Sequence, residues 1–156
     1  VHENLYKSDN LGRIDAGILL RETVNQLLAV GLAPGSGVEV SQTYEAVTLD
    51  PDDAAPLTLM VSETVTNALK YLSFPEGEKG VISVSLNYDT AEMARLTVEN
   101  SATDKTTATG TGLGSKLILA FSRQLNGQVQ IEETGGVYRL VLVFPVPQQP
   151  KPVQDY

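Results

Sequence analysis

Residues 81–89, "VISVSLNYD", alternate strictly, with Ile82, Val84, Leu86 and Tyr88 on one side and Ser83, Ser85 and Asn87 on the other. Side chains of a strand point to opposite faces in turn, so this stretch demands a sheet with one buried and one polar face. Such a sheet needs cover on one side only. The rest of the chain supplies it in a fixed order. In "IDAGILLRETVNQLLAVGLAPG", Leu20, Val24, Leu27 and Leu28 recur at the one-face spacing of a helix, with Asp15 as N-cap and Gly31 followed by Pro34 as the stop. "GVEVSQTYEAVTL" reads as strand in two segments, rich in Val, Thr and Tyr. A second helix starts near "DPDDAAP" and runs through Leu72.

After the turn "FPEGEKG" and the alternating strand come a strand "ARLTVEN" and a loop "SATDKTTATGTG". They lead into a helix "LGSKLILAFSRQLNG" ended by Gly127, and a hairpin of "QVQIEET" and "VYRLVLVFP" about a Gly-Gly turn. The order is helix, strand, helix, two strands, helix, two strands. It fits neither a doubly wound sheet nor an all-β fold. It predicts an α/β (α+β) two-layer sandwich, a mixed sheet with helices on one face.

At 156 residues the chain holds one domain with a sizeable core. Eleven basic against 19 acidic side chains give a formal charge of −8, with no Lys/Arg stripe, which argues against nucleic acid or an anionic membrane as partner. No apolar run approaches the ~20 residues of a membrane span. The absence of cysteine removes disulfides and thiolate metal sites, and a cytoplasmic setting is expected. The first residue is Val, which suggests a fragment or processed chain; the proline-spaced end from Val146 suggests a loose tail.

Two stretches carry chemistry. In "SETVTNALKYLSF", Glu63, Asn67, Lys70 and Tyr71 fall within about a third of the helix circumference, opposite Leu57, Val61, Thr64, Val65, Ala68 and Leu72. A carboxylate, an amide oxygen and an ammonium gathered there suit Mg²⁺ and phosphate oxygens. The plainer alternative is a solvated face with weak neighbour interactions. In "TGTGLGSKLILAF", Gly110, Gly112 and Gly114 precede an apolar helix, so backbone N–H groups and the positive end of the dipole face the loop. The spacing matches neither a P-loop nor the strand-first dinucleotide fingerprint. A flexible glycine turn is the alternative.

Together, "ETVTNALKY" and "GTGLG" resemble the N box and second glycine box of the GHKL superfamily, in particular the ATP-binding catalytic domain of bacterial sensor histidine kinases. Their order, roughly forty residues apart with two strands between, is similar too, and the resemblance covers residues 15–145. The opening "VHENLYKSDNLGRIDAGILLRETV" resembles the end of the dimerisation hairpin in the subfamily attached to PAS, GAF or light-sensing domains, so residues 1–14 are expected to be hairpin end and linker. That places the phospho-accepting histidine outside this chain and leaves His2 to packing or surface.

The resemblance implies Mg-ATP as ligand, a histidine on dimerisation helices as acceptor, and an aspartate of a response regulator as the next carrier. It makes Glu63 the catalytic carboxylate polarising the attacking imidazole, and Asn67 the ligand reaching Mg²⁺ between the phosphates. Lys70 contacts phosphate, Tyr71 lines the nucleotide pocket, and Gly110, Gly112, Leu113 and Gly114 form the phosphate-facing end of the ATP lid. The chain departs from the pattern at the first glycine box, where "LTVENSATDKTTATGTG" puts Asn100 in place of the adenine-reading Asp and no glycine follows it. An amide still pairs with an adenine edge but lacks a charge-assisted bond. Thr103, Asp104, Lys105, Thr106 and Thr107 are read as solvated, and Lys116, in the first helical turn, as a cation for a phosphate or an acidic neighbour. Two other readings compete: a degenerate domain that has lost ATP and serves as a phosphotransfer or docking adaptor, and a serine kinase of the same superfamily.

Overall fold

The computed structural model describes residues 12–104 and 113–149. Among the described residues, seven strands and three helices follow one another as β1 (Ile14–Asp15), α1 (Ala16–Gly31), β2 (Val38–Tyr44), β3 (Thr48–Leu49), α2 (Pro51–Tyr71), β4 (Gly80–Thr90), β5 (Met93–Ser101), α3 (Leu113–Gln124), β6 (Gln128–Thr134) and β7 (Val137–Pro145). The main sheet has five strands in the order β2-β4-β5-β7-β6. β2 runs parallel to β4, and every other neighbour pair is antiparallel. This is the mixed sheet that the element order predicts.

The two-residue period of β5 assigns Ala94, Leu96, Val98 and Asn100 to the buried face and leaves Arg95, Thr97 and Glu99 on the other. Register then aligns Leu86, Leu96 and Leu142 across three strands. Against this face lie Leu20 and Val24 of α1, Leu57, Met60, Val61, Val65 and Ala68 of α2, and Ile118 of α3, all within one apolar core. The helices thus cover one face, with α2 in contact with both other helices and with β5. The open face is held by charge pairs instead: Arg139 donates to Glu99 at 2.6 Å and to Glu132 at 3.2 Å across three strands.

Local chemistry explains the ends. Asp15 caps α1, its Oδ1 accepting from the Ile18 N–H at 3.1 Å. Asp15 also belongs to β1, which pairs with β3, a short contact the sequence did not reveal. Gly31 does not end α1 by a left-handed turn. It remains the last helical residue, with its missing side chain replaced by Leu69, and Leu32 closes the helix by donating to the Leu28 carbonyl. The stop assigned to Gly127 also moves: Asn126 takes the positive φ of 55°, and Gly127 N–H donates to Ser122 C=O in a Schellman turn. Pro56, read with the first turn of α2, stands inside the helix. Gly135 and Gly136, at φ 62° and 77°, make the hairpin turn that the sequence assigned them.

The segment expected to be loose begins with fixed residues. Val146 is buried and donates to the Glu92 carbonyl, and Gln149 donates to that of Ala91. An apolar side chain at the end of a core strand keeps its backbone with it. Residues 150–156 lie outside the described residues, as does His2.

Two outcomes follow for stability. A Cβ at Gly127 would stand 2.7 Å from Leu142 Cδ1 and 2.9 Å from the Val143 carbonyl, so Gly127→Ala is expected to cost about 1–3 kcal/mol in urea unfolding. Burial, then Asp50 and Asp52, hold the Asp53 carboxyl above its ordinary value. Its ionisation therefore opposes folding once the pH exceeds the unfolded value. Asp53→Asn is expected to raise the melting temperature at pH 7, with the gain vanishing as the pH falls below that ordinary range.

Candidate functional site

The polar face of α2 is present as a surface in its own right. Glu63 and Asn67 are half-buried one turn apart, and neither makes a hydrogen bond or ion pair with another described residue. Lys70 is exposed, with Nζ 5.3 Å from the centre of the Tyr71 ring. Leu57, Val61, Thr64, Val65 and Ala68 are buried on the opposite side, which fixes the rotation of the helix and hence the direction of its polar face. The core thereby orients the helix that carries these four side chains.

Asn100 is the last inward-facing residue of β5 and only 2% exposed. The register sets it between Ile82 of β4 and Tyr138 of β7. Its Nδ2 donates to the Ser101 carbonyl at 3.1 Å, which leaves Oδ1 without a hydrogen-bond partner among the described residues. Tyr138 is half-buried, and its phenol is pushed above its ordinary value by burial first, then by the Glu133 carboxylate and the Tyr71 phenol.

Ser73 ties the end of α2 to the end of the central strands through hydrogen bonds. Two residues beyond Tyr71, its N–H donates to Ser101 C=O at 3.0 Å, its C=O accepts from Thr103 N–H at 3.3 Å, and its Oγ accepts from Asp104 N–H at 3.0 Å. Ser101 Oγ accepts in turn from the Val81 N–H at 2.8 Å, and Ala102 N–H donates to Gly136 C=O at 2.7 Å. The chain leaving β5 is therefore pinned to both the helix end and the β6–β7 turn. Beside it a hollow of about 340 Å³ is lined by Ala102, Thr103, Glu133 and the hairpin residues 134–137.

Of the residues singled out in the sequence, Glu63, Asn67, Lys70 and Tyr71 share one helix face, and Asn100 stands at the strand end to which that helix is stitched. Gly110 and Gly112 lie outside the described residues, as do residues 105–107. Leu113 and Gly114 open α3, so Gly114 is a helical residue rather than part of the preceding loop, and Lys116 is exposed in the same first turn. Sequence reasoning missed Ser73 and Tyr138. Ser73 works through its backbone and one hydroxyl, which leave no pattern; Tyr138, the one phenol in a mostly apolar strand, left a faint one.

No group of three or more acidic, histidine or cysteine side chains among the described residues converges as a metal site. The unpartnered oxygens of Glu63 and Asn67 are nonetheless hard donors, of the kind that suit Mg²⁺ when most of its ligands are water and phosphate.

Residues 52–148 match the family of histidine kinase-, DNA gyrase B- and HSP90-like ATPases. The chain belongs to that family. The match runs from the first turn of α2 to beyond β7, so it contains both the polar helix face and Asn100. Among solved structures, the histidine kinase domain of the Erythrobacter litoralis EL346 blue-light activated histidine kinase is similar, with TM-score 0.74 and 20% identity over 85% of this chain and 66% of that one. The mycobacterial sensor histidine kinase MprB gives 0.68 at 14% identity, over 88% of this chain and 98% of that one. ShkA in complex with AMPPNP also gives 0.68, at 18% identity over 90% of this chain and 32% of that one. At these identities the likeness is one of fold. The chain spans 42% of the longer EL346 kinase chain. No curated protein matches it at significant similarity.

The Tyr138 environment is testable directly. Replacing Glu133 by Gln removes the second of its three causes, so the Tyr138 phenol is expected to titrate at lower pH than in the parent, read by NMR of ring-labelled tyrosine.

Proposed function

We propose that this chain is the ATP-binding catalytic domain of a two-component sensor histidine kinase acting in the cytoplasm. The observation that carries the reading is a half-buried carboxylate and amide on α2, both without partners among the described residues, on a helix pinned through Ser73 to the strand that carries Asn100 near its end. Membership of an ATPase family supports it.

In this reading the base and ribose lie towards Asn100, Tyr71 and Tyr138, and the phosphates towards Asn67, Lys70 and the first turn of α3. Asn67 Oδ1, with water and phosphate oxygens, would hold Mg²⁺, whose charge offsets that of the phosphates. Lys70 adds a second positive charge on the same face, and unsatisfied N–H groups at the start of α3 a third attraction. Glu63 accepts the hydrogen bond of an incoming imidazole and orients its free nitrogen in line with the γ-phosphorus. Catalysis is then positioning and charge neutralisation, with little covalent work for the protein. The acceptor is a histidine on dimerisation helices outside this chain, and the phosphoryl group passes on to a response-regulator aspartate.

Calorimetric titration with Mg-ADP and Mg-ATP tests the reading. Saturable binding is expected, weakened at least about tenfold by Asn67→Ala, which corresponds to roughly 1.4 kcal/mol. Absence of heat up to millimolar nucleotide would instead favour a docking or phosphotransfer adaptor.

A further inference from the structure

The two outer strands of the main sheet, β2 and β6, are both edges, and they are not alike. β6 carries two adjacent carboxylates, Glu132 and Glu133, charges of the kind that keep an edge from pairing. β2 has no proline or lysine and an unbroken register, and its one acid, Glu39, is offset by Lys79 at 3.7 Å. Gly37 C=O accepts from Gly80 N–H and Glu45 N–H donates to Leu86 C=O, so the odd-numbered residues of this strand direct their backbone groups at β4. Val38, Val40, Gln42 and Tyr44 direct theirs outward, where they have no partner among the described residues.

The ground beside this edge is open. A hollow of about 360 Å³ lies at its Tyr44 end against Ile18, Arg21 and Asn25 of α1, and one of about 420 Å³ at its Val38 end. It is also firm, because Gln42 Nε2 donates to Asn25 Oδ1 at 2.8 Å and the Arg21 guanidinium lies 5.0 Å from the centre of the Tyr44 ring. Helix and strand thus form one surface, which exposes Ile18 and Val40. Arg21 and Glu22 add both signs of charge, neither ion-paired among the described residues.

The strand itself specifies an occupant. Antiparallel self-pairing centred on Ser41 overlaps the whole of Val38–Tyr44 and sets outward-bonding residues against each other, Val40 against Gln42 of a second copy and Val38 against its Tyr44. Glu39 then faces Thr43. Centring the pair on Gln42 instead would oppose Glu39 and Glu45, two like charges. A two-fold axis through the Ser41 pair keeps both helix layers on one side, where Arg21 and Glu22 offer opposite charges to the seam.

We propose that the free edge of β2 is an interface with a second copy of this chain, which joins the two sheets into one. The proposal does not rest on the nucleotide reading.

Sedimentation velocity over rising concentration tests it, at about 0.15 M salt, where a Debye length of about 8 Å screens the −8 on each copy. An edge ladder is a small interface, ~1,200 Å² or less, so reversible dimerisation with a dissociation constant on the order of 10–100 μM is expected. Hydrogen exchange is expected to slow with concentration at the Val40, Gln42 and Tyr44 amides and to change little at Ser41 and Thr43, already bonded to β4. Val40→Pro removes a donor aimed only at the seam and is expected to weaken dimerisation at least about tenfold, whereas Ile131→Lys, on β6, leaves it unchanged. Dimerisation undiminished in a folded Val40→Pro overturns the proposal, and its loss in Ile131→Lys does so by moving the contact to β6. Should Val40→Pro not fold, Val40→Lys takes its place with the same expected loss. A parent that stays monomeric to about 1 mM also overturns it and leaves the edge to a strand of another protein.

Discussion

A buried amide at the end of the central strand is the constraint on which the rest of the site depends. β5 has a neighbour on each side and a helix layer above, so its two-residue period cannot slip without moving Ala94, Leu96 and Val98 out of the core. The same register that buries these three carries Asn100 to the inner face at the strand's last turn towards α2. A polar residue held there by apolar neighbours keeps its direction without needing a partner for Oδ1. The stability of the core thus supplies the rigidity of this strand end.

The second half of the site is oriented by the same core from the opposite side. Leu57, Met60, Val61, Val65 and Ala68 lock the rotation of α2, and the polar atoms of Glu63 and Asn67, on its other face, have no hydrogen-bond or ion-pair partner among the described residues. Ser73 then converts two separately oriented elements into one assembly, because three hydrogen bonds from a single residue fix the chain after β5 to the end of α2. Each of these bonds is modest, about 1 kcal/mol. Their effect is positional: they set the spacing between the amide end and the carboxylate end of the site.

Much of this was legible before any coordinates. The alternation of residues 81–89, the helical spacing from Leu20 to Leu28 and the Gly-Gly turn each express a local rule, and the strands and helices they predict are found. The mixed polar face of α2 was legible for the same reason, since helix geometry alone places Glu63, Asn67, Lys70 and Tyr71 together. What shifted involves choices between nearly equal local options. The first helix does stop at Gly31, though in close approach to Leu69 rather than by a left-handed turn, and at the later stop Asn126 takes the left-handed turn while the crowded wall at Leu142 and Phe144 holds Gly127 side-chain-free.

The sequence by itself determined the elements, the two-layer class and the residues of the helix face, because hydrophobic period and backbone stereochemistry act within a few residues. Only the tertiary structure decided that β2 lies parallel to β4, that Val146 belongs to the core, and that Ser73 and Tyr138 join Asn100. Those outcomes arise from pairings between distant segments, whose hydrogen bonds and register depend on the whole sheet having formed. No local pattern records them.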